Sequence, residues 1–387
     1  MKRIAPYVTI DGDSHVNMPP DLFQKYMDPE FLKRPGGPRV EIENGIMYFS
    51  MGRLAAPSRA TKTVTPSFLA EGPRGGVDPD YRVKNFMDPE GIDRGVIMPP
   101  GRIWPAYLGD PEMGNAQVEA YNNWLHDFCK VHPTRLFGYG VLNLADPKHA
   151  VKEMRRCVQE LGFPAVDINC SVIGNTPEEY RILADEFFYP IWQEAQNLNC
   201  PIGIHAFGAP RIKGHEYNMW KMPSVMSDVF GFPYVGMDIF NNLVFGGVCE
   251  TFPKVKFGIF EGCLGWVAMI VDRIHERREK FAEMMRVYVP KLKMGGEDYI
   301  QRQIWFGFEP EDPFLPDFIK WTKAPNRLIY SADYPHLEWE TGQTLEYLER
   351  ADVADAVKKQ TLSDNSLEFF RWDDTAVGKS RAPLAAE

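Results

Sequence analysis

Short apolar runs alternate along the chain with longer segments whose apolar residues recur at helical spacing. The runs are YVTIDG from Tyr7, GVIMPP from Gly95, LFGYGVLNL from Leu136, AVDINC from Ala165, PIGIHA from Pro201, VKFGIFE from Val255, IWFGF from Ile304 and RLIYSAD from Arg327. Unbroken apolar runs of this length suit strands buried on both faces of a parallel sheet. Eight of them interleaved with helices predict a closed parallel barrel, α/β in class. The intervening periodicity predicts helices over Asn115–Val131, Pro147–Leu161, Ser224–Glu250 and Leu264–Arg286. Another should begin at Thr176, where Thr176 and Glu179 have the spacing of a capping box and Pro177 suits the first helical position. Tyr180, Leu183, Ala184, Phe187 and Phe188 would form its apolar stripe. Pro190 is expected to kink or break that helix, with Ile191–Leu198 as a second piece.

The periodicity fails between Pro35 and Tyr81, where RPGGPR and EGPRGGVDPD interrupt it. Residues 35–81 therefore read as a long insertion after the first strand, with a hairpin near Ile46–Met51. Residues 1–373 read as one domain. The tail 374–387 is expected to be mobile or to dock on a neighbouring subunit.

Composition narrows the class. With 387 residues, 44% of them hydrophobic and 25 Phe among them, the chain can bury a large core and is not a disordered one. A net charge of -10 without a basic stripe argues against nucleic acid as a partner. No run reaches the ~18 apolar residues of a membrane span, and MKRIAPYVTIDGD lacks the apolar centre of a signal peptide. The six cysteines show neither CxxC pairing nor zinc-finger spacing, so a reducing, cytoplasmic setting is expected. No P-loop, GxSxG elbow or GxGxxG after a strand appears, which sets aside NTPase, serine hydrolase and dinucleotide enzyme.

Candidate chemistry begins in TIDGDSHV, where Asp11, Asp13 and His15 alternate and would share one face of a strand. Alone, the segment reads equally well as a solvated loop. In a parallel barrel, however, chemistry sits at the C-terminal ends of the strands. The first strand ends in Asp13 and His15, the fifth in His205 and the sixth in Glu261. The eighth ends in Asp333, with His336 just beyond. So many carboxylates in one buried mouth would repel one another and be neutralised, whereas a divalent cation removes the problem. A metal site is the leading reading.

Loops on the same rim offer Arg102 and Trp104 after the second strand, and Arg211, Lys213 and His215 after the fifth. An Arg there could pair with a substrate carboxylate; singly, each also reads as a solvated loop charge. Trp104, Phe207, Trp220 and Trp339 could wall an apolar pocket or simply pack. Glu309 and Asp312 suit supporting or helix-start positions, His336 a ligand-orienting or substrate-binding one, and Cys263 a buried thiol. His126, His132, His149 and His275 fall in or beside helices and are expected to do no chemistry.

DGDSHV, GIHAFG, FEGCLGW and SADYPH together resemble the amidohydrolase superfamily, in the branch that contains aminocarboxymuconate-semialdehyde decarboxylase and the resorcylate decarboxylases. The resemblance implies a distorted (β/α)8 barrel, a homodimer, and one divalent metal, usually zinc, held by Asp13, His15, His205 and Asp333. Two positions depart from that branch. Asp13 stands where His or Glu is usual, which leaves Mn2+ or Fe2+ open beside zinc. Glu261 stands where many relatives place a catalytic histidine, and it would become a ligand if a second metal were bound.

The expected reaction is hydrolysis of a small cyclic or aromatic carboxylate, lactone, ester or amide by metal-activated water. Asp333 would accept the water's proton and Glu261 would orient it or protonate the leaving group. The alternative is non-oxidative decarboxylation of an aromatic or muconate-type acid. Hydration of a double bond comes third, and a non-catalytic metal-binding barrel is the reading from a different class.

Overall fold

The eight apolar runs form eight strands: β1 (Ile10–His15), β2 (Arg94–Met98), β3 (Leu136–Val141), β4 (Ala165–Ile168), β5 (Ile202–His205), β6 (Phe257–Phe260), β7 (Ile304–Phe308) and β8 (Leu328–Tyr330). They lie in chain order in one sheet, each parallel to the next. The computed structural model describes residues 4–19, 21–34, 37–43, 46–50, 72–100, 110–172, 179–206, 224–336 and 339–373. Just past the end of β8 the sheet meets its own beginning. The His15 N–H donates to the Tyr334 carbonyl (2.6 Å) and the Asp333 N–H to the Asp13 carbonyl (3.1 Å). These bonds bring the two ends of the chain's barrel together at the rim where the candidate chemistry lies.

Two apolar layers explain why the strand sequences lack a polar face. Val96, Met98, Tyr139, Ala165, Phe260, Trp305 and Ile329 form one cluster with Phe369 and Phe370 of the last helix, Asn365–Phe370. The alternate strand residues, among them Ile97, Val166, Ile204, Ile259 and Phe306, belong to the larger cluster shared with the surrounding helices. Packing leaves no slack at Gly12, where an added Cβ would lie 2.3 Å from Ile329 Cγ2. Gly12→Ala should therefore destabilise the fold by about 1–3 kcal/mol, the range for overpacking a tight core. A thermal midpoint equal to wild type would reject that packing account.

Helix starts follow their caps. Asp110 accepts the Met113 N–H (3.1 Å) ahead of helix Pro111–Cys129, which begins four residues before its predicted start. Asp146 accepts the His149 N–H (3.1 Å) ahead of Pro147–Gln159. Two predicted helices are divided. Ser224–Val244 stops and Val248–Thr251 restarts beyond Gly247, whose φ of 81° suits glycine. Leu264–Arg286 becomes Gly265–Lys280 and Ala282–Tyr288.

The helix expected from Thr176 is corrected by its described part; Thr176 and Pro177 lie outside the described residues. Arg181–Ile182 instead pairs antiparallel with Ser171–Val172. A single 3-10 turn, Glu186–Phe188, follows, with Asp185 accepting the Phe187 N–H (2.9 Å). Pro190 opens helix Tyr189–Asn197 rather than interrupting one, because the first turn needs no N–H from it. The buried pair Leu183 and Phe188 satisfies the apolar stripe without a continuous helix.

Within the insertion, Arg39–Glu43 and Ile46–Ser50 form the hairpin. Its end supplies helices Gly72–Val77 and Pro79–Arg82, which run into a π-helical turn, Val83–Met87. Among the described residues no helix is long and apolar enough to cross a membrane. All six cysteines are free thiols, and Cys263, expected to be buried, is the exposed one.

Candidate active site

β1 brings Asp13 and His15 to the rim, and its pairing with β2 shifts register between Asp11 and Ser14. Such a bulge re-aims side chains, and Asp11 does not continue the alternation as a third donor. Its Oδ1 accepts the backbone N–H groups of Asp13 (3.2 Å) and Ala332 (3.1 Å). His205 ends β5, Glu261 directly follows β6, and Asp333 and His336 follow β8. Glu261 and Asp333 both have φ of 54°, and Cys263 has 57°. Left-handed backbone in a non-glycine residue costs on the order of 1–3 kcal/mol and clusters at working sites. Sequence alone carried no sign of it.

The predicted donors converge. His15 Nε2 lies 3.0 Å from Asp333 Oδ1 and 3.5 Å from Asp13 Oδ1, and His205 Nε2 lies 2.5 Å from Glu261 Oε2. His336 Nδ1 is 2.8 Å from Asp333 Oδ2. The His15 ring stacks on His336 at 4.1 Å and meets His205 edge-on at 5.0 Å. One donor atom from each of Asp13, His15 and His205 lies within 4.8 Å of the others, and the same holds for His15, Glu261, Asp333 and His336. Asp13 Oδ1, His15 Nε2, Glu261 Oε2 and Asp333 Oδ1 are buried, and among the described residues they find no hydrogen-bond partner beyond these close imidazole–carboxylate approaches. Buried oxygen and nitrogen atoms crowded together in this way are what a divalent cation satisfies, and a mixed imidazole–carboxylate set suits Zn2+, Mn2+ or Fe2+.

Charge and burial act on the same groups. Burial, then repulsion from His336, pushes His15 down to about 3, so its imidazole is neutral and its lone pair available. Burial also opposes a proton on His205, but the Glu261 and Asp13 carboxylates outweigh it and lift the group to about 9. Burial raises Asp13 well above the usual carboxylate range, with His205 pulling the other way. Asp333 goes down despite burial, because His336 and then His15 favour its charged form.

Glu309, the residue after β7, is also drawn in. Burial, then the charges of Asp333, Glu311 and Glu261, pushes it from 4.5 to about 8. Between those two values the folded protein keeps this proton while the unfolded chain releases it, so stability falls as pH rises through the window. Glu309→Gln should flatten that part of the slope, read from melting midpoints of metal-stripped protein between about pH 5 and about pH 8. An unchanged slope would remove Glu309 from the buried charge cluster.

Other predicted residues fall elsewhere. Arg102, Trp104 and Arg211 lie outside the described residues, as do Phe207, Lys213, His215 and Trp220. Trp339 packs edge-on against Phe86 (5.6 Å) and Tyr334 (4.9 Å), beside the segment that carries Asp333. Asp312 accepts the N–H groups of Phe314 (2.7 Å) and Leu264 (3.3 Å), a turn-building role. Partial desolvation, then Glu309, Asp312 and Glu261, pushes the Cys263 thiol up to about 11, so thiolate is scarce at neutral pH. A further cluster, Glu119, His149 and Glu153, is occupied by its own bonds: Glu153 holds Arg156 (2.6 Å) and Asn122 (2.7 Å). Sequence reasoning passed over Asp167, fully buried on β4, whose charge also favours a proton on His205. A lone acid inside the apolar run AVDIN was its only signal.

The model of the amidohydrolase family matches residues 13–372, and the chain belongs to that family and is an enzyme. A gamma-resorcylate decarboxylase of Rhodococcus jostii is 35% identical over 305 residues, 76% of this chain and 88% of the relative. A 2-amino-3-carboxymuconate-6-semialdehyde decarboxylase of Dictyostelium discoideum is 23% identical over 299 residues, 76% of this chain and 77% of the relative. Among solved structures, a dihydroxybenzoic acid decarboxylase from Polaromonas sp. JS666, with bound manganese and the inhibitor 2-nitroresorcinol, superposes with a TM-score of 0.69 at 18% identity, covering 94% of this chain and 97% of that one. These relatives correct the expected reaction. Hydrolysis was the first reading from sequence, and proteins matched along most of the chain are decarboxylases instead.

Proposed function

We propose that the chain is a metal-dependent carboxy-lyase that removes the carboxylate of a small aromatic or muconate-type acid without oxidation. The observation that carries this reading is the cluster of crowded buried donors beside the Asp333–His336 contact, in a chain whose relatives matched over three quarters of its length include decarboxylases. Asp13, His15, His205 and Asp333 would hold one divalent ion. Such an ion would supply positive charge to hold and orient an anionic substrate. Zinc was the metal first expected; the donor set suits zinc and manganese alike, and the manganese in the Polaromonas neighbour favours Mn2+.

The chain's own residues then manage two protons. Glu261 takes the proton of a substrate hydroxyl beside the carboxylate, which enriches the ring carbon in electrons. His336, a quarter exposed against 9% for Asp333, collects a proton from solvent and passes it across their 2.8 Å contact. Asp333, within hydrogen-bond reach of His336, hands it to the ring carbon. The new C–H bond forms, the bond to the carboxylate breaks, its electron pair returns to the ring and carbon dioxide leaves. Glu261 finally returns its proton to the hydroxyl oxygen.

The test is turnover of Mn2+-loaded and Zn2+-loaded protein on carboxyl-labelled dihydroxybenzoates and carboxymuconate acids in deuterated water. Labelled carbon dioxide and one deuterium on the vacated carbon are expected. Substrates recovered unchanged across the panel with both metals would overturn the reading.

A further inference from the structure

Beside the donor cluster lies a wholly buried pair of ionisable side chains, one acidic and one basic. Asp11 and Arg82 are both 0% exposed, and each is among the charges that act on the other. We infer that Asp11 and Arg82 are positioning residues that preset the metal site by clamping β1 against the segment after β8; the inference rests on the metal reading above.

One carboxylate oxygen and one guanidinium reach all three candidate ligands carried by those two segments. Asp11 Oδ1 accepts the N–H of Asp13 itself (3.2 Å) and of Ala332, the residue before Asp333 (3.1 Å). Arg82 Nη1 donates to the carbonyl of His15 (2.6 Å) and, more weakly, to that of Gly75 (3.4 Å). Between these contacts run the two direct bonds, His15 N–H to Tyr334 and Asp333 N–H to Asp13. Ser331 Oγ adds a bond to Asp13 Oδ2 at 3.2 Å.

Arg82 is itself immobilised. Its guanidinium lies 5.5 Å from the Phe86 ring centroid and 5.2 Å from that of Tyr334, and those rings stack on each other at 4.0 Å and 6°. Tyr334 belongs to the Asp333 segment, and Phe86 to the π-helical turn that follows Arg82. The segment that follows the insertion thereby becomes part of the site's support.

Stability alone gives no account of the pair. Among the described residues Asp11 Oδ2 and Arg82 Nε and Nη2 find no hydrogen-bond partner, and buried polar groups left partly unsatisfied are costly, so an apolar pair of like volume would hold the core as well or better. What an apolar pair cannot do is direct two N–H groups and a carbonyl of the ligand-bearing segments. Outer groups that orient ligands typically contribute 10–100-fold to metal affinity.

The experiment compares wild type with Arg82→Met, Arg82→Lys and Asp11→Asn, each stripped and then titrated with Mn2+ by equilibrium dialysis. Melting of the stripped forms is measured in parallel. Arg82→Met should weaken Mn2+ binding about 10–100-fold at unchanged saturation. Arg82→Lys should fall between it and wild type, and Asp11→Asn, which keeps an acceptor but loses the charge, should weaken binding severalfold. A purely structural role would lower the melting midpoint and leave the dissociation constant of folded protein alone, and that result overturns the inference, as do constants within twofold of wild type. Should Arg82→Met fail to fold, the other two variants decide by the same criterion. Wild type that takes up no Mn2+ would defeat the metal reading and this inference together, whereas uptake by wild type and variants alike defeats this inference alone.

Discussion

His15→Ala should leave a folded barrel that binds its metal more than about 100-fold more weakly and has lost nearly all turnover. His15 is the residue common to both donor groups, one with Asp13 and His205, the other with Glu261, Asp333 and His336. Its Nε2 is within 3.5 Å of carboxylate oxygens from both segments that close the barrel. Burial keeps the ring neutral, the form that donates a lone pair. Residues that merely orient ligands contribute 10–100-fold, so removing a ligand itself should exceed that range. Loss of the ring also frees His336, which stacks on it at 4.1 Å and is proposed to pass protons to Asp333. Metal content and turnover should therefore fall together. Wild-type metal content in folded His15→Ala protein would remove His15 from the ligand set.

Glu261→Gln separates proton handling from metal binding. The amide keeps the shape of the side chain but cannot take a proton from a substrate hydroxyl. General acid–base groups typically contribute about 10²–10⁴-fold, and kcat should fall by that order. The variant also removes the largest charge holding a proton on His205, so that imidazole becomes easier to deprotonate at neutral pH. Metal content should then stay at the wild-type level or bind more readily. Loss of one metal equivalent per chain would instead make Glu261 a ligand of a second ion, and unchanged kcat would sink its proposed role.

The barrel was legible because the strands other than the first are largely apolar on both faces, so those runs announce themselves without their neighbours. Asp13, His15, His205, Glu261 and Asp333 were legible for a related reason. A polar residue ending an apolar run has few places to be in a parallel barrel, and the strand order then brings distant ends to one rim. The segment 176–188 was misread because capping spacing and an apolar stripe are local signals, and both can be met by a turn that buries Leu183 and Phe188. Asp11 was misplaced for another reason: strict alternation assumes a regular strand, and the register shift after it breaks the count. Hydrolysis was preferred over decarboxylation on Glu261 alone, and the kinship with decarboxylases reversed that order.

By itself, then, the amino-acid order determined the eight strands, their parallel sense and the residue types delivered to the mouth of the barrel. Only the tertiary structure decided which of those groups touch. It paired Asp333 with His336, seated Glu261 on His205 and turned Asp11 to the backbone beside a buried Arg82. Periodicity reports the face on which a side chain lies. Distances of about 3 Å between residues hundreds of positions apart depend on the register and bulges of the closed sheet, which no local pattern encodes.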